Sequence, residues 1–241
     1  MHSTRYNTPF TISDKFTMDE AEKAATDAVM QEYESVLLER SVKSRYGYLT
    51  KDEQAQIIEN AKSLAAKNDT SDFPSFSARR NDVYNNIRAY LNEEGTVVPC
   101  GFVDFRMRKM YHWAEKIAEK GADLFFDQKE YEEFTYLLSM FVEEKEPREE
   151  VIHLVWEKEG IKLLNKRGRN VTKKYEKEFI VAAREKNISD DDLAISAIIS
   201  AAPKKLRLHM PPDNLPLAET LIKIFGNRAT VCKGCNICKK D

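Results

Sequence analysis

The spacing of apolar residues changes once along this chain, near residue 151, and the change limits the folds it can adopt. Before that point apolar residues recur every three to four positions, most clearly at Met110, Ala114, Ile117 and Gly121, which is the spacing of one helix face. After it, the segment VIHLVW (151–156) alternates on a period of two, as strands do. The 8 glycines and 8 prolines among 241 residues are too few for an all-β fold with a turn about every ten residues. The pattern therefore predicts an α+β protein.

The first half of the chain contains residue patterns that typically begin and end helices. Thr17 with Glu20, and Thr50 with Glu53, have the capping-box spacing that begins a helix. They predict one helix over about residues 18–44 and another from about residue 51. A third helix is expected from about Ser77 to Gly95. The first 95 residues are therefore predicted to form a helical N-terminal region.

The following segment is expected to separate that region from the rest. Its sequence VVPCGFVDF (97–105) contains Pro99 and Gly101, which favour an irregular connection or a short edge strand. Asp127 with Glu130 repeats the capping-box spacing inside the next helical stretch. This spacing predicts two helices packed as a hairpin, the second lined by the apolar residues Tyr131, Phe134, Leu138, Phe141 and Val142.

Residues 151–241 alternate between strand and helix patterns. VIHLVW, KEG and IKLLN predict a β-hairpin, followed by a helix around 172–186. Ser189 and Asp190–Asp192 precede LAISAIISAA, which is apolar on all sides and predicts a buried helix. KLRLHM, PLAETLIKIFG and ATV then predict a strand, a helix and a strand. The order ββ-αα-β-α-β predicts a small mixed β-sheet packed with helices over residues 96–241.

Charge is distributed unevenly along the chain. The formal net charge is -2, yet residues 151–241 hold 18 basic and 11 acidic side chains. Many of the basic side chains cluster between residues 166 and 177: Lys166, Arg167, Arg169, Lys173, Lys174 and Lys177. Such a cluster usually forms a solvated surface, and phosphate binding is the alternative interpretation. No apolar run reaches the roughly 17 residues needed to span a bilayer, and the first 18 residues lack the apolar core of a secretory signal. A cytoplasmic protein with reduced cysteines is expected.

Three cysteines close to the C-terminus form the sharpest local signal. Cys232, Cys235 and Cys238 are each separated by two residues, a spacing that turns successive thiolates toward one metal ion. Zinc and iron–sulfur clusters both take tetrahedral thiolate sets, so either is possible for this run. The fourth ligand has to come from elsewhere, and Cys100 is the first candidate. His209 or a second subunit comes next, followed by an exogenous ligand on iron.

Other interpretations of the cysteine run stay open at this point. Lys233, Lys239 and Lys240 favour the thiolate form electrostatically, so reversible thiol or disulfide chemistry is an alternative to a metal, and an inert tail is another. His153, on the Val151 and Val155 face of its strand, fits a half-buried core position better than a ligand. Asp190–Asp192 fit helix capping better than a metal site. No P-loop, GxGxxG, GxSxG or HExxH spacing occurs, so an enzyme is not favoured.

Several ordered blocks together resemble a known family: GFVDFRMRKM, KEYEEFTYLLSMFVEEKEP, DLAISAIISAAPKKLRLH and VCKGCNIC. Over about residues 100–238 they resemble the YtxC-like family, which is linked to sporulation in endospore-forming Firmicutes. The resemblance implies a cytoplasmic bacterial protein and carries no catalytic residues with it.

Taken together, these patterns lead to three functional hypotheses. The first is a non-enzymatic, partner-binding sporulation protein with zinc or an iron–sulfur cluster at its C-terminal cysteines. The second is a nucleic-acid-binding factor that uses the basic C-terminal part. The third is a thiol redox enzyme or sensor at the three terminal cysteines.

Overall fold

A computed structural model describes residues 5–13, 17–68, 71–157, 160–176, 190–209 and 215–237. The chain divides into two compact units, Met1–Lys129 and Glu130–Asp241. The first is helical and the second contains a four-stranded mixed sheet. The α+β class predicted from the sequence is confirmed. The boundary predicted after residue 95 lies inside the first unit.

The first unit is built from helices whose starts follow the predicted caps. Thr17 and Thr50 each accept a hydrogen bond from the backbone three residues later, and the glutamate at that position bonds back to the cap. Gly95 ends the fourth helix in the left-handed conformation, with φ +70°, which glycine adopts without strain. The helices are α1 (Met18–Asp27), α2 (Glu34–Arg45), α3 (Lys51–Ala65), α4 (Phe76–Glu94), α5 (Pro99–Arg106) and α6 (Lys109–Glu144).

Two of these elements differ in detail from the predicted pattern. A π-helical turn, Ala28–Tyr33, joins α1 to α2 within the predicted helix 18–44. Strand β2 (Thr96–Val97) is short and pairs with β1 (Phe10–Thr11), but Pro99 begins α5 and not an irregular connection. Proline suits the first helical turn because its fixed φ is helical and its missing N–H needs no partner there.

The predicted hairpin between residues 110 and 147 is wrong. Lys109–Glu144 is one helix of 36 residues, and the division between the two units falls inside it. Asp127 and Glu130 have capping-box spacing, but no glycine or proline between residues 122 and 146 interrupts the backbone. Good helix formers around the pair let the helix continue through it.

The second unit contains the predicted mixed sheet, in the order β4-β3-β5-β6. Strand β3 pairs antiparallel with β4 and parallel with β5, and β5 pairs parallel with β6. The strands are β3 (Glu149–Glu157), β4 (Gly160–Asn165), β5 (Pro203–His209) and β6 (Ala229–Val231), with helices α7 (Asp190–Ala201) and α8 (Leu215–Phe225) between them.

One face of this sheet forms the core of the second unit. Ile152, Leu154, Leu206 and Leu208 are fully buried and cluster with side chains of both α7 and α8. Helix α7 begins at Asp190 as predicted, although it is only partly buried, since Leu193, Ile195 and Ile199 keep intermediate exposure. The predicted helix around 172–186 is helical at residues 172–176; its remainder and the predicted Ser189 cap lie outside the described residues.

Candidate metal centre

The ends of two parallel strands bring His209 and Cys232 together. Leu208 of β5 pairs with Val231 of β6, and the Cys232 N–H donates to the Leu208 carbonyl at 2.8 Å. His209 follows Leu208 directly, and Cys232 follows Val231. Because parallel strands end at the same edge of a sheet, the imidazole and the first thiol meet there although 22 residues separate them in sequence.

A tight turn returns the chain to the same place. Gly234 has φ +120°, which side-chain-bearing residues rarely adopt. The turn places the Cys235 thiol against the imidazole, and the backbone N–H of Ile237 donates to Cys235 Sγ at 3.3 Å. A hydrogen bond from N–H to sulfur favours the thiolate over the thiol, because it stabilises the charged form. Thiolates are the form of cysteine that binds metals.

His209, Cys232 and Cys235 form a group whose three ligand atoms all lie within 4.8 Å of one another. His209 is only 5% exposed and both cysteines are half-buried. The Cys235 Sγ and His209 Nδ1 atoms are 3.6 Å apart. Sulfur and nitrogen on one tetrahedral zinc ion would be about 3.6 Å apart, given Zn–S of about 2.3 Å and Zn–N of about 2.0–2.1 Å. The group can therefore hold a metal ion, and its spacing suits zinc.

The other nitrogen of His209 faces a second histidine. His209 Nε2 lies 2.9 Å from His153 Nδ1, and the two rings stack with their centroids 5.1 Å apart. If Nδ1 of His209 held a metal, its proton would reside on Nε2 and would be donated to His153 Nδ1. Histidine ligands characteristically donate their second N–H in this way, which fixes the tautomer and the ring orientation.

Burial favours the neutral form of both imidazoles. It lowers the pKa of His209, and the nearby His153 and Arg207 lower this pKa further. The pKa of His153 is also lowered, by burial first and by Arg207 second. Since only a neutral imidazole can bind a metal, these shifts extend the pH range over which His209 can act as a ligand.

The candidate ligands predicted from the sequence are found in different places. Cys232 and Cys235 lie together, and His209, the second candidate for the remaining ligand, lies with them. Cys238 is outside the described residues. Cys100 is on α5 in the first unit and packs against that unit's core, and its role as a ligand stays a prediction.

The sequence predicted the burial of one of the two histidines but not the contact between them. His153 is half-buried, as predicted, but its contact with His209 was not foreseen. The alternation of β5 puts His209 on one face with Lys205 and Arg207, a pattern that predicts a solvated side of the sheet. That prediction is wrong for His209, because one nitrogen of its ring contacts His153 and the other contacts Cys235. Both histidines stand at alternate positions facing away from the core, the signal that identifies a shared sheet face.

Part of the predicted basic cluster is neutralised within the second unit. Lys166 forms an ion pair with Glu150, and Lys174 forms one with Glu149. Lys205 and Arg207 are exposed on β5, on the sheet face opposite the core. Among the described helices, none combines the length and the hydrophobicity needed to cross a membrane.

The fold and the Cys/His group define an α+β protein with a candidate metal centre at one edge of its sheet. The family model of the YtxC-like family matches residues 19–230. The chain belongs to the YtxC-like family. It is 24% identical over 196 residues to the uncharacterized protein YtxC of Bacillus subtilis (strain 168), an alignment covering 78% of this chain and 67% of that protein.

This family match confirms the resemblance and changes its extent. It begins at residue 19, so most of the helical N-terminal region belongs to the matched part. It ends at residue 230, before Cys232, and therefore does not bear on the cysteine run. No solved structure matches the chain.

Proposed function

We propose that this chain is a non-enzymatic, partner-binding protein with a zinc centre formed by His209, Cys232, Cys235 and Cys238. The grouping of the first three ligand atoms within 4.8 Å carries the proposal. Cys238 continues the two-residue spacing and would supply the fourth ligand. Three thiolates and one imidazole are a common structural zinc set, whereas iron–sulfur clusters usually take four cysteines.

Four protein ligands make such a centre structural. A closed tetrahedral site has no open position for substrate or water, which a catalytic zinc requires. The ion would tie the end of the chain to the end of β5 and so hold the C-terminal turn against the sheet. The activity would then consist of binding a partner, in the cytoplasm and in connection with sporulation, as the family resemblance implies.

Metal analysis of protein purified without oxygen tests the centre. We expect roughly one zinc per chain and neither iron nor acid-labile sulfide. Cys235→Ser and His209→Ala should lose the zinc because each removes a ligand. Cys100→Ser is the matched control, a cysteine in the first unit, and should keep it.

Each other outcome contradicts a specific part of the proposal. If zinc were lost in Cys100→Ser and kept in His209→Ala, Cys100 would be the ligand in place of His209. The presence of iron and acid-labile sulfide would mean that the centre is an iron–sulfur cluster and not a zinc site. Metal-free wild-type protein would overturn the centre and favour thiol redox chemistry, which rapid alkylation and a reversible disulfide would then reveal.

His153 is expected to strengthen zinc binding without being a ligand. Replacing it with alanine removes the acceptor for the His209 Nε2–H and should lower zinc affinity about tenfold to hundredfold. The metal content at saturation should stay unchanged. Competition against a chromophoric chelator measures the affinity, and His153→Gln, which keeps an acceptor, should lose less. Equal affinities for wild type and His153→Ala would contradict this role.

Lys205 and Arg207 support nucleic acid as a second candidate partner. Their exposed cationic side chains stand two residues apart on one strand, where a phosphate backbone can reach both. Such binding would weaken steeply as salt is added. An absence of binding to DNA and RNA at low salt would eliminate this candidate.

A further inference from the structure

Helix α6 exposes a group of large apolar side chains in the second unit. Phe134, Leu137, Met140 and Phe141 lie on one side of the helix and are 44–63% exposed, and we call them the α6 apolar face. The sequence pattern placed Phe134 and Phe141 in the core together with Leu138 and Val142. Leu138 and Val142 pack against the core of the second unit, whereas the two phenylalanines, next to Leu138 around the helix, are more than half exposed. Exposed apolar side chains that adjoin one another often mark a binding surface.

Glutamates flank the α6 apolar face at both of its ends. Residues 130, 134, 137, 141 and 144 follow the spacing of one helix side, so Glu130 precedes Phe134 and Glu144 follows Phe141 on the same line. Glu133 and Glu143 stand beside these ends, and all four glutamates are exposed. The nearby Lys145 Nζ donates to the Ile199 carbonyl at 3.2 Å and lies 5.2 Å from the Phe141 ring centroid, so one cation stands at the Phe141 end of the face beside the four glutamates.

This charge pattern decides between possible occupants. A second copy in antiparallel orientation would place Glu130 against Glu144, and a parallel copy would place each glutamate against itself. Nucleic acid and anionic lipid surfaces would be repelled in the same way. Cationic groups at both ends of an apolar stripe complement the face.

From these observations we infer that the α6 apolar face docks a basic amphipathic helix of a protein partner. The stripe on the partner spans about two helical turns, because residues 134–141 cover roughly 12 Å along α6. Lys or Arg side chains at both ends of that stripe meet the four glutamates. Apolar side chains on one side of each helix pack together, as in other helix-to-helix recognition. This surface is independent of the zinc centre.

Synthetic peptides of opposite end charge test the docking surface. The probes are fluorescent helical peptides of varied apolar composition with a two-turn apolar stripe and two lysines at each end; comparators carry two glutamates at each end. Anisotropy measured on the full chain should show at least tenfold tighter binding of one or more lysine-ended peptides. Leu137→Ser should weaken that binding at least tenfold, whereas Tyr48→Ser, an exposed tyrosine of the first unit, should leave it unchanged.

A charge reversal keeps the test decisive if Leu137→Ser alters the helix. Changing Glu130, Glu133, Glu143 and Glu144 together to lysine should reverse the preference toward glutamate-ended peptides, with the helical circular dichroism retained. Three results would overturn the inference: equal affinity for both peptide classes, no binding by any lysine-ended peptide, or a dimer in sedimentation experiments that Leu137→Ser abolishes.

Discussion

Replacing Arg79 with alanine is expected to reduce the free energy of unfolding of the first unit by about 3–5 kcal/mol. The Arg79 side chain is fully buried. Its Nε donates to Glu34 Oε1 at 2.8 Å, and its terminal nitrogens donate to the Pro74 and Ala65 carbonyls, each at 2.6 Å. Without it, Glu34 would be a buried carboxylate with no counter-ion, and two carbonyls would lose their donors.

The loss should depend on pH in a defined direction. Burial raises the pKa of Glu34, and Arg79 opposes that rise. In Arg79→Ala the opposition is gone, so the pKa of Glu34 in the folded state rises further above its unfolded value. Stability contributed by such a group is present at low pH and lost as pH rises through the folded pKa. The destabilisation should therefore be smaller at about pH 4 than at about pH 7.

Urea unfolding can follow the first unit alone. The chain has two tryptophans, Trp113 in the first unit and Trp156 in the second. A Trp156→Phe background leaves Trp113 fluorescence as the reporter. Arg80→Ala is the matched control, since the neighbouring Arg80 forms a partly exposed ion pair with Asp27 and should cost less than about 1 kcal/mol. Similar losses for the two arginines would refute the role of Arg79.

Gly121→Ala is expected to destabilise the first unit, against the usual effect of this exchange in helices. Alanine normally exceeds glycine by about 1 kcal/mol inside a helix. Here a Cβ atom would lie 2.9 Å from both the Ala61 nitrogen and the Ile57 oxygen, which belong to the backbone of α3. Because backbone atoms cannot move aside, α3 and α6 would have to separate. We expect a loss of about 1–3 kcal/mol, and a larger loss for Gly121→Val.

The matching control is another helical glycine. A Cβ on Gly101, in α5, would meet nothing within 4 Å. Gly101→Ala should therefore leave stability unchanged or raise it by up to about 1 kcal/mol. Urea denaturation of both variants in the Trp113 reporter background measures the difference. A gain in stability for Gly121→Ala would show that the two helices are not held at this distance.

Elements whose signals are local could be predicted closely. Thr17 and Thr50 begin their helices through bonds to residues three positions away, and Gly95 ends one through its own left-handed backbone. The strands β3 and β4 follow from a period of two and a short turn. In each case the atoms that decide the structure are close in sequence.

Sequence patterns were less reliable where neighbouring residues favour different structures. Asp127 and Glu130 have the spacing of a helix start, but the flanking residues favour an uninterrupted α6. Phe134 and Phe141 share a helical pattern with Leu138 and Val142, and the pattern alone does not say which part of an apolar arc meets the core. The packing of the second unit leaves the two phenylalanines exposed.

The sequence by itself determined the α+β class, most helix boundaries and the identity of the terminal cysteines as candidate ligands. Tertiary structure decided that His209 joins Cys232 and Cys235, and that His153 lies behind it. The physical reason is strand register. Pairing of β5 with both β3 and β6 brings together side chains that are 23 to 82 residues apart, and no local pattern encodes that pairing.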